Sequence, residues 1–139
     1  MNKSELILIR DYNKENDKAF VIATWLRGLY YGDTWFALIK KQTFMNYYAK
    51  LIEMLIDGQT TKIKVACLKE DPTVIIGYVV LSRNHDNILH WAHVKKPFRG
   101  IGVAKDLTPK SVNTVTHLTK PGVSILKKKE WLFNPFLLV

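Results

Sequence analysis

Cysteine occurs once in this chain of 139 residues, as Cys67. A lone cysteine excludes an internal disulfide and any zinc site built on paired cysteines. It alternates with Ile63 and Val65, so a small core residue is expected there, not a nucleophile. Long apolar runs are missing as well: nothing approaches the roughly 18 residues that span a bilayer. The opening "MNKSELILIR" meets charge too soon for a secretory signal. A soluble, cytoplasmic protein with no membrane partner is expected. No internal repeat, linker or low-complexity stretch interrupts the chain, and its 47% apolar content suffices for one sizeable core. A single domain over 1–139 follows.

Acidic residues are scarce in the second half. Residues 1–60 hold eight Lys and Arg against seven Asp and Glu, whereas residues 61–139 hold thirteen against five. Most of the net charge of +9 therefore sits in the later part. Such a field attracts an anionic partner, be it a phosphorylated cofactor, a nucleic acid or an acidic protein surface.

What is present is strong periodicity. "ELILIR" reads as a short first strand. Ile22, Trp25, Leu26, Leu29 and Tyr30 line one helical face, with Gly32 as a stop. Phe44, Tyr47, Tyr48, Leu51, Ile52 and Leu55 line a second, with Thr43 as N-cap and Gly58 past the end. Both aromatic stripes are expected in the core. From Thr61 the period falls to two. "TKIKVACL", "VIIGYVVLS" and "ILHWAHV" read as an antiparallel meander, the middle run being apolar enough for a central strand. Gly77 within it signals a bulge or a close backbone approach. "SVNTVTHL" is β-rich, and the 17 residues between Val94 and Val112 allow a parallel crossover. "GVSILKKKEW" reads as a helix and "LFNPFLLV" as a last strand, with Pro135 tolerated at an edge or a bulge.

Between the meander and the crossover stands "VKKPFRGIGVA", Val94 to Ala104. A strand ending in a glycine-rich turn before a helix presents unpaired N–H groups that suit a phosphate. The P-loop pattern fails because no Gly-Lys-Ser/Thr follows the turn. The dinucleotide-binding pattern fails because lysine stands in place of its third glycine and no acidic ribose partner follows at about 20 residues.

The same stretch resembles the R/Q-x-x-G-x-G/A signature of the GNAT superfamily of acyl-CoA-dependent N-acyltransferases. Arg99 takes the first position, Gly102 the glycine and Ala104 the last small residue, with Phe98 as the preceding aromatic and Val94 five residues upstream. The strand, the two helices and the hairpin before it follow the family's order. The closing "NPF" is similar to small phage-encoded acetyltransferase-like proteins. The resemblance implies an α/β (α+β) fold: a mixed, mostly antiparallel central sheet flanked by helices, with a split between strands 4 and 5. It implies acetyl-CoA or another acyl-CoA as co-substrate. Pantetheine would add to the backbone at His93 and Val94, and the pyrophosphate would rest on the N–H groups of Phe98, Arg99, Gly100, Ile101, Gly102, Val103 and Ala104. Lys95, Lys96, Lys105 and Lys110 would supply further charge. The chain departs from the family pattern at its end: none of its six tyrosines lies past Tyr78, where many members place a general acid.

Acyl transfer to an amine needs a base for the ammonium proton and donors for the oxyanion. Histidine titrates near neutrality, and all four histidines lie in the second half. His85 falls in a turn. His90 sits on the fourth strand, where some aralkylamine-acetylating relatives carry a catalytic histidine, and His117 on the fifth, across the implied split. His90 is the first candidate and His117 the second, with Asp33 and Glu130 behind them. His90 and His93 do not form a metal site, because side chains three apart on a strand point to opposite faces.

Two functions of different class stay open. One is an N-acyltransferase acting on a small amine, a peptide or a nucleic-acid acceptor, as a monomer or homodimer. The other is a non-catalytic basic module for nucleic acid or protein, with "KKKEW" and the basic loop as its contact surface.

Overall fold

The computed structural model of the chain describes residues 3–32 and 34–138. A helical turn, α1 (Lys3–Leu6), leads into β1 (Ile7–Asp11), followed by α2 (Lys14–Gly32), α3 (Thr34–Ala37) and α4 (Lys41–Asp57). Next come β2 (Thr61–Leu68), β3 (Ile75–Ser82) and β4 (Ile88–Val94), a 3-10 turn (Lys96–Phe98) and α5 (Val103–Leu107). The chain ends with β5 (Thr114–Val115), α6 (Lys120–Lys129) and β6 (Leu132–Phe133).

The six strands form one sheet in sequence order. β1 to β4 pair antiparallel, while β5 joins β4 in parallel and β6 joins β5 in parallel. Every residue of β3 is buried, as its continuous apolar run requires of a strand covered on both faces. α2 and α4 cover one face through Val21, Trp25, Leu29, Phe44, Ile52 and Leu55. Val103 and Leu107 of α5 pack on the other, against Ala66, Ile76, Val79 and Leu89. Cys67 is fully buried in this sheet, as expected of a core residue.

An ion pair fastens β1 to α2. Asp17 is wholly buried and accepts from Arg10 Nη1 at 2.7 Å and Nη2 at 2.8 Å, from the Asn13 amide at 2.7 Å and from Asn16 Nδ2 at 2.7 Å. Burial alone would raise its pKa, but these donors hold the carboxyl below its usual range.

Several sequence expectations are corrected. Glu5 and Leu6 are helical, so the first strand starts at Ile7. α4 starts before Thr43, with Lys40 as its N-cap, and Gly58 ends it in extended rather than left-handed backbone. Tyr47 is exposed because α4 turns it past the edge of the sheet-facing stripe. The fifth strand shrinks to Thr114–Val115, and Pro135 lies beyond the last strand. Propensity alone marked a longer strand, but β5 pairs with β4 only at Ile88 and Leu89 before the two part.

Candidate functional site

Two irregularities in the sheet build the site. Gly77 pairs with Val94, and a methyl carbon added at Gly77 would lie 2.6 Å from the His93 carbonyl oxygen. Only glycine lets β3 and β4 approach so closely. Farther along, Val80 faces Trp91 but Leu81 faces Leu89, so His90 is the extra residue of a β-bulge. Beyond that bulge β4 leaves its parallel partner: pairing with β5 stops at Leu89–Val115, where Thr116 N donates to Leu89 O at 3.2 Å. Past this point no strand among the described residues pairs with the outer edge of β4. The parting strands enclose a cleft of about 460 Å³ lined by β4 from Leu89 to Val94, by residues 117–119 and by α6.

The glycine loop closes one end of this cleft. Arg99 Nε donates to Val94 O at 2.8 Å, tying the loop to the end of the strand it leaves. Gly100 and Gly102 have φ of +83° and +87°, the left-handed region that glycine enters freely. The N–H groups of Phe98 and Arg99 are engaged by Lys95 and Lys96 carbonyls within the 3-10 turn. They are therefore withdrawn from the set of phosphate donors expected from the sequence. Among the described residues, those of Gly100, Ile101, Gly102, Val103 and Ala104 have no backbone acceptor. A Cβ at Gly100 would meet open space. A smaller hollow of about 140 Å³ lies here, lined by Val94, Phe98, Arg99, Gly100, Gly102, Val103, Ala104 and Lys105. Ile101 points away, half exposed.

One cation escaped sequence reasoning. Lys3 Nζ bridges to Asp106 at 2.6 Å and stands 3.0 Å from where a Gly102 side chain would begin. Nothing in the order of residues links position 3 to position 102; only the fold brings them together.

His90 and His117 both line the cleft. His90 is 2% exposed, and burial pushes its pKa down to about 4. His117 is likewise pushed to about 4, by burial first and by the His90 ring next, with a hydrogen bond to the His90 backbone opposing. His117 packs edge-on against Trp25 at 5.4 Å between ring centres, and Trp25 in turn stacks on Trp91. His93 faces α2, against Phe20 and Tyr78, and burial followed by Arg99 lowers it to about 4. All three rings are neutral at pH 7. His85 is exposed in its turn, and Glu130 is exposed at the left-handed end of α6. Neither lines the cleft. Asp33 lies outside the described residues.

A six-stranded sheet with a parallel β4–β5 pair that parts beside a glycine loop, with helices on both faces, is a fold shared with solved structures assigned as acetyl transferases. The chain is similar over 90% of its length to a solved structure from Pyrococcus furiosus that carries a provisional acetyl transferase assignment. That match covers 92% of the archaeal chain at a TM-score of 0.61 and 15% identity. A Clostridium difficile 630 protein with the same kind of assignment matches over 91% of this chain and 88% of its own, at a TM-score of 0.51 and 14% identity. No family model and no curated protein matches the sequence.

Proposed function

We propose that the protein is an N-acyltransferase that moves an acetyl or related acyl group from acyl-CoA to an amine. The observation that carries this reading is the meeting of two open backbone surfaces where the cleft adjoins the smaller hollow, at Val94, Arg99 and Ala104. The first is the β4 edge past Leu89, and the second is the run of N–H groups from Gly100 to Ala104. An acyl-CoA brings to such a cleft an amide-bearing arm, a pyrophosphate and a reactive thioester. A free strand edge takes the arm as it would take another strand. Clustered N–H groups on glycine backbone take the phosphate, and Lys3 beside Gly102 and Lys105 in the lining of the smaller hollow add charge.

His90 is the first candidate for the proton acceptor and His117 the second. Each is a neutral imidazole at the cleft wall, which is the form a base must have before attack. The acceptor is a small amine, a peptide or a nucleic acid, and the cleft's apolar wall of Trp91, Leu118, Ile125, Leu126 and Trp131 suits an acceptor with an apolar body.

A second reading has its own observation. Lys127, Lys128 and Lys129 are exposed together on α6, which suits a basic module for nucleic acid. Melting curves with acetyl-CoA, together with thiol release against a panel of amines, test the first reading. Ligand at a hundred times its Kd should add about 2.7 kcal/mol of stability. No shift with acetyl-CoA or free CoA removes that reading, and steeply salt-dependent binding of DNA or RNA would favour the second.

A further inference from the structure

The Thr116 hydroxyl lies between two imidazoles. Its Oγ1 is 2.9 Å from His90 Nδ1 and 3.0 Å from His117 Nδ1, and Thr116 is 3% exposed. A hydroxyl has one proton and can accept at its lone pairs. If both rings presented bare Nδ1 atoms, one would face the oxygen lone pair with no proton between them. If both presented Nδ1–H, the hydroxyl proton would need a third acceptor, and Thr116 Oγ1 has none besides these rings among the described residues. A buried group left unsatisfied costs about 1–3 kcal/mol. One arrangement satisfies all three groups: one ring donates its Nδ1–H to Thr116, and Thr116 donates to the Nδ1 of the other.

We propose that Thr116 is a positioning residue that locks His90 and His117 in opposite neutral tautomers, so that the cleft holds one imidazole with a free Nε2 lone pair and one with an Nε2–H. The first is a base and the second an acid, and neither carries charge. The lowered pKa of both rings agrees with a neutral pair.

The pair is also a proton relay. When the first ring gains a proton at Nε2, its Nδ1 proton passes to the Thr116 oxygen. The hydroxyl proton passes to Nδ1 of the second ring, which releases its own Nε2 proton. Both rings end neutral with their tautomers exchanged, and one proton has crossed the cleft wall. This use of the pair rests on the acyltransferase reading, in which the proton lost by the attacking amine must reach the departing thiolate. It supplies an acid in a chain whose tyrosines all precede position 79. The tautomer pairing itself does not depend on that reading.

The test is a long-range proton–nitrogen correlation spectrum of the full-length protein labelled with ¹⁵N-histidine, near pH 7.5, with rings assigned through the backbone. The wild type should show one of His90 and His117 protonated at Nδ1 and the other at Nε2. T116V, which keeps the shape and loses the hydroxyl, should move the Nδ1–H ring to the Nε2–H form, and T116S should keep the wild-type pattern. Matching tautomers in the wild type overturn the proposal without any variant, so a misfolded T116V does not rescue it. An unchanged T116V spectrum also overturns it. If an acceptor is found, T116V should turn over roughly 10- to 100-fold more slowly and T116S close to wild type. Opposite tautomers in a protein that neither binds nor consumes acyl-CoA would sink the acyltransferase reading and leave the pairing intact.

Discussion

Arg99 Nε holds the Val94 carbonyl at 2.8 Å, so the arginine of the loop acts on the backbone of its own chain. Replacing it should loosen the loop but leave the donors from Gly100 to Ala104 in place. Arg99→Ala is expected to weaken acetyl-CoA binding by about 1 kcal/mol, close to fivefold, as one hydrogen bond is worth. Isothermal titration reads this directly, and a complete loss would mean that Arg99 holds the ligand itself.

Gly100 and Gly102 differ in what a side chain would meet. Both have left-handed backbone, so any replacement costs about 1–2 kcal/mol in strain. Gly100→Ala adds a methyl to open space and should fold with a slightly lower Tm. Gly102→Val adds bulk beside Lys3 and the loop N–H groups, and should abolish the acetyl-CoA shift in a melting curve. Normal CoA binding by Gly102→Val would put the phosphate elsewhere.

Gly77→Ala should be costlier than either. Its methyl would press on the His93 carbonyl, which is backbone and cannot swing away. Overpacking of this kind costs about 1–3 kcal/mol. The urea midpoint should fall accordingly, with loss of CoA binding as β4 shifts.

His90→Ala should lower turnover by roughly 10² to 10⁴ at neutral pH with little change in CoA affinity. Burial alters the pH profile expected from an ordinary histidine. A base works when unprotonated, so the acid limb of the wild-type rate should rise through about 4 rather than 6.5. The mutant should recover as pH rises and more of the acceptor becomes a neutral amine. An unchanged rate would leave His90 structural and pass its role to His117.

Acid should destabilise the protein in two windows. His90, His93 and His117 have folded pKa values of about 4 against an ordinary 6.5. Between those values the unfolded chain binds more protons, so stability is full above 6.5 and falls as pH drops toward 4. Near pH 5 unfolding should take up about two to three protons. Asp17, held below 3.8, adds stability above that value that is lost as pH falls through its folded pKa. Asp17→Asn should narrow this lower window and cost about 1.5–3 kcal/mol by taking the carboxylate from Arg10, which keeps the Pro72 and Asp11 carbonyls as acceptors. Calorimetry at stepped pH separates the two.

The order of residues determined much of this protein. The period of two over "TKIKVACL", the unbroken apolar run of β3 and the stripes through Trp25 and Ile52 each describe a surface that local geometry repeats. Element type and order follow from that, as does the open glycine loop, because Gly100 and Gly102 carry their backbone freedom with them. Tertiary structure alone decided the bulge at His90, since a bulge is a mismatch between two strands and belongs to neither. It cut β5 to two residues, set Lys3 beside Gly102 and spent the Phe98 and Arg99 amides inside a turn. It also put the Thr116 hydroxyl between His90 and His117, a contact across 26 positions that depends on strand register. Local periodicity says which face a side chain takes, but which atoms meet across a parting pair of strands is fixed only when the whole sheet has closed.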